Sequence, residues 1–218
     1  FTKAISLMIN PEEEAARTIM NTLKFPNAES VDTFFSNRAN MLELLIEKES
    51  QLAGMKLKDL NSGLKDKVII CIVERGKDIM VPTGDFILEE DDVIYVTGTN
   101  DAVANFYDRM GYKKNKDINS VMLIGGGTLS HYLLGKLIKR KKQVKVIEEV
   151  RETAKKLSNN YLNAIVVRGD ETDQELLLNE GIEKYDAVIA ATDNDEENMV
   201  ISMFAKSVNS GKIITQMN

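Results

Sequence analysis

Val121-Met-Leu-Ile-Gly-Gly-Gly-Thr-Leu-Ser130 decides the fold of this chain. Its four leading apolar residues predict a short buried strand, its three glycines a tight turn, and Thr128 to about Lys139 a helix. Glu148 then closes the next apolar run, Val144-Lys-Val-Ile-Glu148. Strand, glycine turn, helix and strand-end acid make the layout of a nucleotide site. N–H groups at the helix N-terminus hold phosphate, and the carboxylate accepts from the ribose hydroxyls. Gly125 serves the tight turn, Gly126 continues it, and Gly127 lets backbone approach phosphate; Ser130 stands where a third glycine would let helix and sheet close up. Glu148 favours an unphosphorylated ribose, hence NAD(H), ATP or ADP over NADP(H); its other reading is a solvent-facing acid beside Glu149.

Outward from this stretch, residues 118–218 alternate strand and helix. Strands are expected at Val121–Ile124, Val144–Ile147, Ala164–Arg168, Ala187–Ala191 and Lys212–Gln216, each short and apolar on both faces, as in a parallel sheet covered on both sides. Helical spacing of apolar residues lies between them, with Gly181 and Gly211 where helix C-caps belong. The class is α/β, a doubly wound Rossmann-like sheet. Gly169-Asp170 and Ala191-Thr192-Asp193 fall at strand ends on the side of the glycine turn, where open α/β sheets bind ligands. Asp170 is placed to bond an adenine amino group, and Thr192 to face ribose or phosphate. Asp195, Glu196 and Asn198 read as capping and dipole-complementing residues of the next helix. Arg151 reads equally as a phosphate contact or a surface residue, and His131, the one histidine, as an exposed helix residue.

Residues 40–112 form a small α+β module. Met41–Glu47, Val68–Glu74 and Val93–Gly98 are strand-like, Arg75-Gly-Lys-Asp78 makes a hairpin to Ile79–Pro82, and Lys56–Leu60 and Ala102–Met110 are short helices. Lys113–Asp117 is a polar linker. Ahead of the module, residues 1–39 hold a strand at Ala4–Ile9, a helix capped by Asn10 with Pro11 in its first position, and a linker. That helix carries Ala15, Ala16, Ile19, Met20 and Leu23 on one face. Ile5–Asn10 echoes Ile213–Asn218 at an offset of 208 residues (5 to 213). With a first residue that is not Met, the echo reads as nearly one period of a tandem array.

The net charge of −6 argues against a non-specific nucleic-acid surface. No apolar run reaches the length of a membrane span, and the start does not read as a signal peptide. The single cysteine, Cys71, has no intramolecular disulfide partner and reads as a small buried apolar residue, so a reducing, cytosolic setting is expected. No metal-ligating or catalytic constellation is evident.

Together these segments resemble the RCK (KTN) family of regulators of potassium conductance, in its TrkA-type peripheral subunits of Trk potassium uptake systems. The resemblance rests on Gly125-Gly-Gly127, Val146-Ile-Glu148, Gly169-Asp170 and Ala191-Thr-Asp-Asn-Asp-Glu-Glu-Asn198. In the small module it rests on Gly54–Leu60, Ile79–Asp85 and Glu90–Gly98. It implies that 1–39 ends a first nucleotide-binding domain, 40–112 is its C-terminal subdomain, and 118–218 is a second nucleotide-binding domain. It further implies that Gly125, Gly126, Gly127, Thr128, Leu129, Glu148, Thr192 and Asp193 contact NAD(H) or an adenine nucleotide. A strand-end arginine found in some members falls at Gln216, and Ser130 is a second departure. The implied role is a non-enzymatic one: a nucleotide-sensing homo-oligomeric ring, tetrameric in the full-length protein, on the cytoplasmic face of a membrane potassium channel or transporter. The alternatives are an NAD-dependent oxidoreductase and an RCK-type regulator of a cation/proton antiporter.

Overall fold

A computed structural model of the chain describes residues 10–34, 38–62, 67–112, 117–208 and 210–217. The strand expected at 4–9, most of the echo and residues 113–116 lie outside these residues. The chain divides into two units, one made of the segment up to Lys24 together with Asp117 onward, the other of Phe25–Lys116.

Helix α1 (Pro11–Thr22) starts as its sequence dictates. Glu13 N–H donates to Asn10 Oδ1 (3.0 Å), Pro11 occupies the first turn where its missing N–H costs nothing, and three acids face the positive dipole end.

The smaller unit is an antiparallel sheet in the order β1-β2-β5-β3-β4, with β1 Ser30–Phe34, β2 Ala39–Leu45, β3 Ile69–Arg75, β4 Asp78–Met80 and β5 Val93–Thr99. Alternate residues of β2 and β5 point inward, so Leu42, Leu44, Ile94 and Val96 pack with Val103 and Phe106 of α3 (Asn100–Arg109). A single-turn helix, α2, covers Leu57–Leu60. Asp92 is fully buried and accepts from Arg75 Nε (2.7 Å), Arg75 Nη2 (2.8 Å) and Glu89 N–H (2.8 Å). Burial pushes this carboxyl up, and the Arg75 fork with the Glu89 N–H more than reverses that, holding it below the usual range.

Two expectations change in this unit. In the segment that reads as linker, β1 is an edge strand with Val31 alone fully inward, and the Ser30 hydroxyl donates to Glu43 (2.7 Å) across to β2. Cys71 is half-buried because a bulge between Ile70 and Ile72 displaces it from the ladder.

The larger unit is a parallel sheet in the order β10-β9-β6-β7-β8, with β6 Ser120–Ile124, β7 Gln143–Glu148, β8 Ala164–Arg168, β9 Ala187–Ala190 and β10 Lys212–Thr215. Alternation sends Val121 and Leu123 to one face, against α4 (Thr128–Lys139) and Leu157 of α5 (Arg151–Asn160). It sends Met122 and Ile124 to the other, against α6 (Gln174–Asn179), the 3-10 turn Ile182–Lys184 and α7 (Asp195–Ser207). Gly181 ends α6 with φ of 80°, as a C-cap glycine does. Gly211 is a different device: a Cβ there would collide with the carbonyl of Asp186, so it serves close packing of β10.

α1 is part of this larger unit. Ala16, Ile19, Met20 and Leu23 join Leu129, Leu133 and Leu137 in one core, and Asn10 Nδ2 donates to Tyr132 Oη (2.9 Å). The first 39 residues therefore do not stay together; α1 goes to the Rossmann-like unit and β1 to the smaller one. Truncating Met20 to Ala is expected to cost about 2–4 kcal/mol. Hydrogen exchange should show the lost protection in α4, and unchanged protection in β2 and β5.

Candidate functional site: a crevice at the sheet's carboxyl edge

Chain travel reverses between β6 and β9, and that switch point opens a crevice at the carboxyl ends of the strands. The parallel ladder runs one residue into each loop and sets them level. Gly125 N–H donates to Ile147 O (3.0 Å), Ala191 to Ile124 O (2.8 Å), Gly169 to Glu148 O (3.1 Å) and Gln216 to Ala190 O (2.9 Å). Gly125 has φ of 104°, and a Cβ would strike the Ala191 carbonyl and come within 2.7 Å of Thr192 N. Only glycine fits there.

The helices around the crevice differ at their starts. α1, α6 and α7 are capped by the side chains of Asn10, Asp173 and Asn194. α4, which begins at Gly127, and α5, which begins at Val150, have no side-chain cap, and in α4 the uncapped first turn sits at the glycine turn itself. Ser130, fully buried, donates to the carbonyl of Gly125, which satisfies its hydroxyl and closes helix on turn as a glycine would.

Two hollows meet at Gly127, Thr192 and Asp193. The first, about 280 Å³, is lined by Gly125, Gly126, Gly127, Glu148, Glu149, Val150, Thr153, Glu171, Thr192, Asp193, Asn194 and Glu197. The second, about 190 Å³, is lined by Gly127, Thr128, Leu129, Ala191, Thr192, Asp193 and Gln216, with Pro11, Glu12 and Ala15 of α1. Every site residue expected from sequence lines one hollow or both, except Asp170. Asp170 is exposed and its carboxylate takes the N–H (2.8 Å) and hydroxyl (2.7 Å) of Thr172. That turn faces Glu171 inward in its place. Asp170-Glu-Thr172 carries the signature of such a turn, and it was the available signal.

Glu148 is 4% exposed, lies over Gly126 and accepts from Val150 N–H (2.6 Å), which serves the start of α5. Glu171 lies in the same hollow, 9% exposed, and accepts a long bond from Glu149 N–H (3.3 Å). Burial, and then the charge of Glu148, push its carboxyl up to about 7, helped by Glu149 and Glu197 and opposed by the Glu149 N–H.

Thr192 spends its hydroxyl within the fold, on Asn198 Oδ1 (2.9 Å) and the backbone of Asn194. Asn198 is more than the helix-opening residue expected from sequence. Fully buried, it accepts from Thr192 N–H (2.8 Å) and donates to Thr192 O (3.0 Å) and Gln216 O (3.0 Å), tying two crevice loops together. Arg151 is exposed and lines neither hollow. His131 is half-buried and lies tilted against Tyr161, with ring centroids 5.7 Å apart.

Residues 121–218 match the TrkA-N domain, and residues 41–111 match the TrkA-C domain. The chain thus carries a TrkA-C domain followed by a TrkA-N domain. It is 32% identical over 214 residues to Trk system potassium uptake protein TrkA homolog 2 of Methanosarcina mazei, covering 97% of this chain and 47% of that one. With Trk system potassium uptake protein TrkA of Vibrio alginolyticus it shares 29% over 209 residues, covering 95% and 45%. The chain thus spans about half the length of these relatives. A solved GsuK channel bound to NAD shares the fold, with a TM-score of 0.55 at 16% identity over 93% of this chain and 36% of that one. In TrkA terms, α1 lies outside both matched segments yet packs on the TrkA-N unit. Among the described residues no helix is long and apolar enough to cross a membrane.

Replacing Asn198 with Ala leaves the Thr192 N–H and the Gln216 carbonyl without their partner, and should cost about 2–4 kcal/mol. Chemical denaturation measures it. The raised Glu171 carboxyl has the opposite effect to a salt bridge. The folded state holds its proton longer than the unfolded chain does, so stability falls as pH rises from 4.5 toward 7 and stays lowered above that. Glu171→Gln should therefore raise the apparent Tm at pH 8 and leave it nearly unchanged at pH 4.5, in thermal scans at the two values.

Proposed function

We propose that this chain is part of a nucleotide-sensing regulatory subunit of a Trk-type potassium uptake system. Residues 118–218, with α1 packed on them, are its second nucleotide-binding domain; 40–112 are the C-terminal subdomain of the first, and 1–39 include that first domain's end. The observation that carries this reading is the uncapped start of α4 at a glycine turn in the switch-point crevice, with Glu148 beside it. α4 N–H groups receive the pyrophosphate, and Glu148 the ribose hydroxyls.

NAD(H), ADP and ATP share that recognition, and charge ranks them. The first hollow carries Glu148, Glu149, Glu171, Asp193 and Glu197 and no basic residue in its lining. A dinucleotide with its small net charge suits such a wall better than a triphosphate. The NAD seen in the GsuK channel fits the same preference.

The ligand acts by differential affinity. Full-length copies assemble as a ring, four copies in our reading, at the cytoplasmic face of a potassium channel or transporter, and nucleotide favours one ring geometry over another. Chemistry on the ligand has no part in this. The second hollow is small, is walled by Pro11, Glu12 and Ala15, and has no histidine in its lining, which leaves little for an oxidoreductase to use.

Calorimetry with NAD, NADH, ADP and ATP tests the reading. NAD or NADH should bind more tightly than ATP in the absence of divalent metal. Glu148→Gln keeps an acceptor for Val150 and loses the ribose carboxylate, so affinity should fall about 10–100-fold with a stability change under about 1 kcal/mol. Absence of binding by all four ligands would sink the proposal, and steady NADH turnover would point to an enzyme instead.

A further inference from the structure

The crevice is ordered along the strand ends. The glycine turn follows β6, Glu148 ends β7, and the loop 169–171 follows β8. A dinucleotide with pyrophosphate at the first and ribose at the second brings its base to the third. The side chain waiting there is Glu171, not Asp170. We propose that Glu171 reads the adenine base as a neutral carboxylic acid, its O–H donating to ring N1 and its C=O accepting from the N6 amino group. The inference rests on the nucleotide reading above and adds to it the residue that selects the base and the proton that comes with it.

The surroundings favour the neutral form. Glu148 and Glu149 face Glu171 from the end of β7, Glu197 from the first turn of α7, and Asp193 lines the same hollow. Asp170, next in sequence, is turned to Thr172, and the Arg168 Nε donates to the carbonyl of Glu149 (3.4 Å). With its carboxyl near 7, Glu171 is protonated at slightly acid pH and ionised at pH 8. Adenine N1 is an acceptor, so an ionised carboxylate repels it and keeps only the N6 contact. Adenine binding and protonation are thereby linked, and affinity falls as pH rises. Hypoxanthine inverts the pattern, with an N1–H donor that an ionised Glu171 accepts.

NAD is the suitable probe, since none of its own groups titrates between pH 6 and 8. Calorimetry on the whole chain at both values should give affinity about tenfold weaker at pH 8, one decade for each pH unit above the carboxyl's own value. Binding at pH 8 should take up close to one proton, read from buffers of different ionisation heat. Glu171→Gln presents the same donor and acceptor without a titrating proton. It should bind NAD with less than about twofold change between the two pH values. The hypoxanthine analogue of NAD should show no weakening toward pH 8 in the wild-type chain. Equal wild-type affinity for NAD at the two values, or the same pH dependence in Glu171→Gln, overturns the role of Glu171 and leaves the nucleotide reading standing. Absence of NAD binding at both values, in wild type and variant, removes the nucleotide reading and this inference with it.

Discussion

The crevice depends on the contact between Gly125 and the backbone of Ala191–Thr192. β6 and β9 are neighbours in the sheet, and their following loops leave toward opposite sides. Without a Cβ at 125 the two loops lie directly against each other, and α4 starts at the mouth of the gap. Asn198 holds the second loop from behind, through Thr192 on one side and Gln216 on the other. The floor of the crevice is thus built from backbone groups on a parallel sheet, with few rotatable bonds in it. Such preorganisation spares the ligand the cost of ordering its own site.

The electrostatics of the crevice are one-sided. The linings of the two hollows hold Glu12, Glu148, Glu149, Glu171, Asp193 and Glu197 and no lysine, arginine or histidine. The favourable field comes from the α4 dipole and its free N–H groups, worth up to about 2 kcal/mol in partly buried geometry. These six carboxylates, as anions, would oppose that field. Burial, and then the charge of Glu148, push the Glu171 carboxyl up to about 7, which lessens the charge of that wall near neutral pH. As an anion Glu171 only accepts hydrogen bonds, and when neutral it also donates one.

Local pattern made the larger unit legible in the sequence. Short runs apolar on both faces point to a sheet covered on both sides, and the observed strands of 118–218 fall where those runs are, although the edge strand β8 leaves Ile165 exposed. The glycine turn and Glu148 were legible for the same reason, since each function is fixed within a few residues of chain. What escaped depends on distant partners. Val31 alone is fully inward in β1, so its strand character comes from β2 pairing. Cys71 is half-exposed because of a bulge that periodicity does not encode. Asp170 and Glu171 are adjacent acids, and the bond of the first to Thr172 chooses which one enters the crevice. Asn198 looks like any polar residue opening a helix until Thr192 and Gln216 are placed beside it.

α1 shows how a contiguous reading of the domain falls short. Its apolar stripe was plain in the sequence, but its partner begins more than a hundred residues later, at Leu129. The chain leaves this unit at Lys24, forms the whole smaller unit, and returns at Asp117. Residues 121–218 taken alone would expose the face of α4 that Ile19 and Met20 cover, and would open one wall of the second hollow. The Rossmann-like unit is therefore discontinuous, 10–24 with 117–217, and its continuity is made by packing. A group that fills the second hollow touches Pro11, Glu12 and Ala15, which stand on the same helix as the apolar stripe. Ligand contact and helix docking are then two loads on one short element, and neither is set by the glycine turn alone.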